Sequence, residues 1–120
     1  MSDDARPPAG AVLCRLDEIA DPGARTFAFA PAHPEGRAFQ GFVVRKDGAL
    51  HGYVDSCPHT GAPLPAEPDR YLDRKGEWIL CWTHGAMFQI KDGLCVAGPC
   101  VKRSLRPWPV EVRGDEVVAV

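Results

Sequence analysis

Residues 39–56 read FQGFVVRKDGALHGYVDS, and this stretch decides the fold. Two apolar-rich runs flank Asp47-Gly48, a dipeptide whose residues both tolerate positive φ and so suit a tight type I′ turn between antiparallel strands. Working outward, AMFQIK (86–91) and LCVA (94–97) flank Asp92-Gly93 in the same way. WPVEV (108–112) and EVVAV (116–120) flank Arg113-Gly114-Asp115, a third hairpin. Upstream, AVLCRL (11–16) is strand-like, and Asp17-Glu18-Ile19 suits a single helical turn. ARTFAFA (24–30) places Phe27 and Phe29 on one face of a strand. The stretch 31–37, with two prolines and a glycine, reads as a loop. Twelve glycines and twelve prolines punctuate these runs, and no sustained 3.6-residue stripe occurs. The pattern predicts an all-β, antiparallel domain with little helix.

At 120 residues the chain has room for one domain, expected over 11–120 and preceded by a disordered lead-in over 1–10 (MSDDARPPAG). A formal net charge of −2 supplies no basic footprint for nucleic acid and no polybasic patch for a membrane surface. The acidic, Pro-bearing start lacks the basic head and apolar run of a secretory signal, and no stretch of about 20 apolar residues occurs. The expectation is a cytoplasmic, soluble protein.

Five cysteines cannot all pair, and in a cytosolic chain cysteines set beside histidines point to metal or redox chemistry. Cys57-Pro58-His59 and Cys81-Trp82-Thr83-His84 are such pairs. Each opens a Pro- or Gly-bearing loop, 57–68 and 81–86, that follows a strand. Two loops of similar make-up, each with one Cys and one His, are what a metal site shared by two hairpins needs.

These residues resemble the Rieske family, whose loops read Cys-x-His and Cys-x-x-His. The resemblance runs through Gly61 and Gly85 to Phe88, Asp92-Gly93 and Gly98-Pro99, and covers about residues 40–120. It implies stacked small sheets and a cluster-binding subdomain of two loops, about residues 55–100. It further implies one [2Fe–2S] cluster, with Cys57 and Cys81 on one iron and His59 and His84 on the other. Two ferric ions, two sulfides and two thiolates sum to zero charge, so an added electron meets less repulsion than in a four-thiolate cluster. Such centres therefore span about −150 to +300 mV, against about −400 mV for plant-type ferredoxins. Ala62 and Thr83 stand where high-potential members carry a disulfide-forming cysteine. Ala86 and Phe88 stand where those members place hydroxyl donors to sulfur. Fewer donors leave the reduced cluster less stabilised, which predicts the low end of the window. The resemblance assigns Pro99 to a loop covering the cluster. The 21 residues between His59 and Cys81 exceed the common family spacing, and the polar, Pro-rich insert is expected to form surface loop.

The function implied is that of a one-electron carrier. It would take electrons from a reductase (a flavoprotein) and pass them to a terminal oxidoreductase such as a ring-hydroxylating oxygenase. On this reading no catalytic residues are expected, since a mononuclear-iron domain needs hundreds of residues and a spare histidine pair, and the sequence shows no Gly-rich dinucleotide fingerprint. Two other readings stand beside it: a small redox subunit of a larger oxidoreductase of nitrite-reductase type, and a non-redox interaction module stabilised by zinc. Zinc takes the same donors, but its modules usually pair Cys with Cys and His with His along the chain. Cys14 reads as core, and His33 and His51 as surface or hydrogen-bonded histidines. Trp82 reads as shield, docking surface or packing, and Trp78 and Trp108 as core or rim. For Cys95 and Cys100 two readings stand, a disulfide or two reduced apolar thiols.

Overall fold

A computed structural model of the chain describes residues 5–31, 34–58, 61–65, 67–82 and 85–120. Nine strands occur among the described residues: β1 (Val12–Arg15), β2 (Gly23–Phe29), β3 (Phe39–Lys46), β4 (Ala49–Val54), β5 (Trp78–Cys81), β6 (Ala86–Gln89), β7 (Cys95–Ala97), β8 (Val110–Arg113) and β9 (Glu116–Ala119). They form three antiparallel three-stranded sheets in the orders β2-β3-β4, β5-β6-β7 and β1-β9-β8. The expected helical turn is a 3-10 turn over Leu16–Glu18. The all-β expectation therefore holds.

The β3–β4 hairpin turns through Asp47 and Gly48 at φ 52° and 81°, the left-handed pair that a type I′ turn needs. The Asp21 carboxylate clasps this turn, accepting the Asp47 and Gly48 amides at 2.9 and 2.7 Å. β3 is the centre of the molecule. Phe42 and Val44 belong to one buried cluster and Phe39 and Val43 to another. A strand covered on both faces needs a continuous apolar run, which is why Phe42-Val43-Val44 does not alternate with polar residues.

Trp108 anchors the cluster on the second face. It is fully buried and meets Phe27 and Phe39 edge-on, with ring centroids 5.9 and 5.1 Å away. Its ring lies where a Cβ on Gly41 would come within 2.6 Å, so a side chain there would displace it. On the first face Phe42 stacks on Tyr71, centroids 4.0 Å apart and planes 11° from parallel. Tyr71 and Leu64 are fully buried, so the insert between the two Cys/His loops is not wholly surface loop, because these two apolar side chains fix it to the core.

Residues 1–4 of the expected lead-in lie outside the described residues. Within 5–10, Arg6 stands over the Phe39 ring, 4.8 Å from its centroid, and the Gly10 amide donates to the Ala119 carbonyl at 2.7 Å. The hairpin expected through Asp92-Gly93 is present, β6 pairing antiparallel with β7 across a connection over 90–94. It closes by the Gly93 amide donating to the Gln89 carbonyl at 2.8 Å, and the Ile90 carbonyl accepts from the Tyr53 hydroxyl at 2.5 Å.

Candidate metal centre

The two Cys/His loops begin alike. Cys57 follows β4, on which alternation continues past the last paired residue, so that Tyr53, Asp55 and Cys57 are all buried. Cys81 is the last residue of β5 and is likewise buried. In each loop the cysteine carbonyl accepts the amide of the glycine four residues on, Gly61 to Cys57 at 2.6 Å and Gly85 to Cys81 at 2.8 Å. Both glycines sit at positive φ, 80° and 72°, where a side chain would be strained. The sequence signal of one Cys and one glycine per loop thus becomes two turns of the same construction, each enclosing its histidine position in the chain. His59 and His84 themselves lie outside the described residues, as does His33.

The two loops are joined. The Cys57 amide donates to Ala62 at 2.8 Å, which folds the first loop back, and the Trp82 amide donates to the Leu64 carbonyl at 2.9 Å. Beneath the junction lies Asp55, which the sequence reading missed. Its carboxylate accepts the Leu64 amide at 2.8 Å, the Gln40 side-chain amide at 2.6 Å and the Tyr71 hydroxyl at 2.7 Å. Tyr71 OH lies 2.9 Å from Thr26 Oγ1, and burial raises its pKa, keeping it a donor.

A third loop, after β7, closes over the first two. At Gly98, φ 95°, an added Cβ would stand 2.7 Å from the Ala86 Cα, so only glycine admits this approach. Arg103 Nη1 donates to the Pro58 carbonyl at 3.1 Å. Cys100 Sγ lies 3.0 Å from Cys95 Sγ and has the Cys57 thiol as a further neighbour. Burial foremost, with the two neighbouring thiols, pushes the Cys100 thiol up to about 12. Pro99, Val101 and Trp82 are exposed, whereas Ala86 and Phe88 are fully buried apolar residues.

Two buried thiols at the starts of matched, joined loops fit the cysteine half of a mixed Cys/His iron–sulfur site. Among the described residues no group of three or more His, Cys, Asp or Glu side chains is arranged to hold a metal ion. The histidine half therefore rests on the Cys-x-His and Cys-x-x-His spacing.

Elsewhere, a cleft of 370 Å³ is lined by Lys46, Asp47, His51, Trp78, Ile90 and Lys91. Burial lowers the His51 pKa below its ordinary 6.5. The unfolded chain then takes up a proton that folded His51 resists, so this residue costs stability as pH falls through about 6.5 toward its folded pKa. His51→Gln should flatten the loss of urea-unfolding free energy between pH 7 and pH 5. An unchanged slope would show that His51 is not the group responsible.

The model of the Rieske [2Fe-2S] domain family matches residues 12–113. A search of curated proteins finds no match. Among solved structures, the ferredoxin of carbazole 1,9a-dioxygenase from Nocardioides aromaticivorans IC177 superposes with a TM-score of 0.68 at 22% identity, over 94% of this chain and 98% of that one. A chain from the complex of reduced oxygenase and oxidized ferredoxin in carbazole 1,9a-dioxygenase gives 0.70 at 26% identity, over 91% and 100%. A longer chain, from the reduced complex between oxygenase and ferredoxin in that system, gives 0.73 at 19% identity, over 92% of this chain and 28% of its own. No helix is long and apolar enough to cross a membrane among the described residues.

Proposed function

The chain belongs to the Rieske [2Fe–2S] domain family, and from that premise we propose that it is a one-electron carrier whose single cluster is held by Cys57, His59, Cys81 and His84. The observation that carries this reading is the pair of matched loops, each opened by a buried cysteine, closed by a left-handed glycine and joined to the other through Leu64 and Trp82.

When bound, a Rieske cluster supplies a reversible one-electron couple. The protein's part is to hold and insulate it. Cys57 and Cys81 would present thiolates from the core side, and His59 and His84 would take the second iron. Ala86 and Phe88, buried and without hydroxyls, give the sulfurs no side-chain donor at those positions, which favours the low end of the family's range. Trp82 on the second loop and Pro99 and Val101 on the third are exposed and offer apolar contacts suited to brief docking with a redox partner.

The acceptor we propose is a ring-hydroxylating oxygenase, and the donor a flavoprotein reductase, with the exchange taking place in the cytoplasm. The ferredoxin of the carbazole dioxygenase system, found in complex with its oxygenase, supports the first half. The test is anaerobic purification followed by absorption and EPR spectra before and after dithionite. We expect a red-brown protein that bleaches, a rhombic signal only on reduction, and a midpoint near about −150 mV. Stoichiometric zinc with no iron or sulfide would overturn the reading in favour of a zinc-tied module. A midpoint above about 0 mV would overturn the low-potential assignment alone.

A further inference from the structure

Cys95 and Cys100 are used by nothing described so far. They bracket the third loop, on either side of Val96-Ala97-Gly98-Pro99, and their sulfurs are 3.0 Å apart. A disulfide bond is about 2.04 Å long, so a movement of about 1 Å would bring the pair to bonding distance. The backbone already holds the two residues together. The Cys95 amide donates to the Arg103 carbonyl at 2.8 Å, the Lys102 amide to the Cys95 carbonyl at 3.3 Å, and the Arg103 amide to the Cys100 carbonyl at 2.9 Å. Cys95 Sγ in turn donates to the Ala97 carbonyl at 3.2 Å. Two buried thiols aimed at each other across a pre-closed loop are more than apolar filling requires, since either could pack with its sulfur turned elsewhere.

We propose that Cys95 and Cys100 are a dithiol–disulfide pair that closes under a small-molecule disulfide oxidant and locks the third loop beside Cys57. The exchange balances in two steps. One thiol attacks oxidised glutathione, forming a mixed disulfide and releasing one glutathione thiol. The second cysteine then attacks the mixed disulfide, forming the Cys95–Cys100 bond and releasing the second. The pair loses two hydrogens, and one oxidised glutathione becomes two reduced ones. Both thiols are buried, yet the loop between them is largely exposed at Val96, Gly98 and Pro99. Access therefore requires only that this loop open, and closure is slow compared with that of a surface pair.

Closure has a consequence for the cluster, and this consequence rests on the carrier reading above. In the dithiol the Cys100 S–H donates to Cys95 and the Cys95 S–H to the Ala97 carbonyl, so two polar hydrogens lie in the buried cluster that also holds Cys57. In the disulfide both are gone, and the surroundings of a ligand sulfur change. Those surroundings tune the potential, so the midpoint should shift when the pair closes and return when it is reduced.

The experiment begins by recording the visible spectrum of the purified holoprotein, which settles the presence of the cluster independently of the pair. The protein is then incubated anaerobically with excess oxidised glutathione, denatured in iodoacetamide and digested with trypsin. Cleavage after Lys91 and Lys102 yields a peptide, residues 92–102, that contains Cys95 and Cys100 and no other cysteine. We expect this peptide to resist alkylation and to be two hydrogens lighter than the dithiol. Prior reduction should restore two alkylated sites, and the holoprotein's midpoint should differ measurably before and after that reduction. Full alkylation of both cysteines with the cluster intact would overturn the proposal. So would stable glutathione adducts, or a cross-link from this peptide to the one spanning residues 47–70, which carries Cys57. A closed pair with an unchanged midpoint would retain the disulfide and overturn the coupling. Cys95→Ser should give no intramolecular disulfide and a midpoint insensitive to the oxidant. If that variant misfolds, the wild-type comparison decides alone.

Discussion

Cys57→Ser and Cys81→Ser should each yield a colourless protein, with iron and sulfide falling from two of each per chain to near zero. Both positions are buried, so no water-exposed donor can slip into the vacated place without opening the core. Serine keeps the volume and removes the soft, readily ionised sulfur that iron in a sulfide cluster selects. The two positions are equivalent because their loops are built alike, each held to its own glycine at 2.6 and 2.8 Å. On the proposed ligation, losing one thiolate would leave an iron short of a ligand, and the whole cluster is the unit that binds. Cluster binding acts only on the folded chain, so these variants should also lose thermal stability relative to the holoprotein. Cys14→Ala is the control. Cys14 lies in the other buried cluster, with Phe39 and Trp108, and its loss should leave the colour intact. Iron, sulfide and the visible spectrum retained in both Cys57→Ser and Cys81→Ser would mean that the cluster sits elsewhere.

What the sequence discloses about this fold is what local chemistry decides. The β3–β4 hairpin is legible because Asp47-Gly48 can adopt positive φ and few other dipeptides can. The two Cys/His loops are legible because their residue types recur at similar spacing. Asp55 is not read from the sequence, although the signal is there: Tyr53, Asp55 and Cys57 alternate, which puts a carboxylate on the buried face of β4's extension. The hairpin reading includes Asp55 at the end of its second run but gives the carboxylate no role, because a charged residue near a strand end is ordinarily turned to solvent. Tyr71 hides for a different reason. It is one aromatic within a polar, Pro-rich insert, and only the tertiary contact with Phe42 shows that a single stacked ring can anchor it. The spacing of Cys95 and Cys100 raises a pairing but leaves it open; their 3.0 Å approach appears only with the tertiary structure, in a loop whose Gly98 presses against Ala86.

Asp55→Ala tests whether that hidden carboxylate joins the fold to the site, and it should be the most damaging change outside the four proposed ligands. Three donors converge on Asp55: the Leu64 amide, the Gln40 side chain and the Tyr71 hydroxyl. Gln40 is half-buried and can turn to water, and Tyr71 keeps Thr26 as a neighbour. The Leu64 amide has no such escape, because Leu64 is fully buried. A buried donor left without its acceptor costs about 1–3 kcal/mol, more where the lost partner carries charge. The three together come to about 3–5 kcal/mol, a fall of roughly 10–20 °C in Tm for a domain of this size. Asp55→Asn should cost far less, since its side-chain oxygen still accepts from Leu64 and its amide can donate to the Tyr71 oxygen. The effect on the site follows from connectivity. Leu64 receives its position from Asp55 and passes it to Trp82 through its carbonyl, so without the carboxylate the Cys57 loop is no longer fixed relative to the Cys81 loop. Holoprotein of Asp55→Ala should release iron to a chelator several-fold faster than the parent below its own melting transition, with Asp55→Asn close to the parent. A Tm within about 2 °C of the parent would show that water replaces the carboxylate at little cost. Normal iron release despite a large fall in Tm would confine Asp55 to the fold and leave the joining of the loops to Leu64 and Trp82 alone.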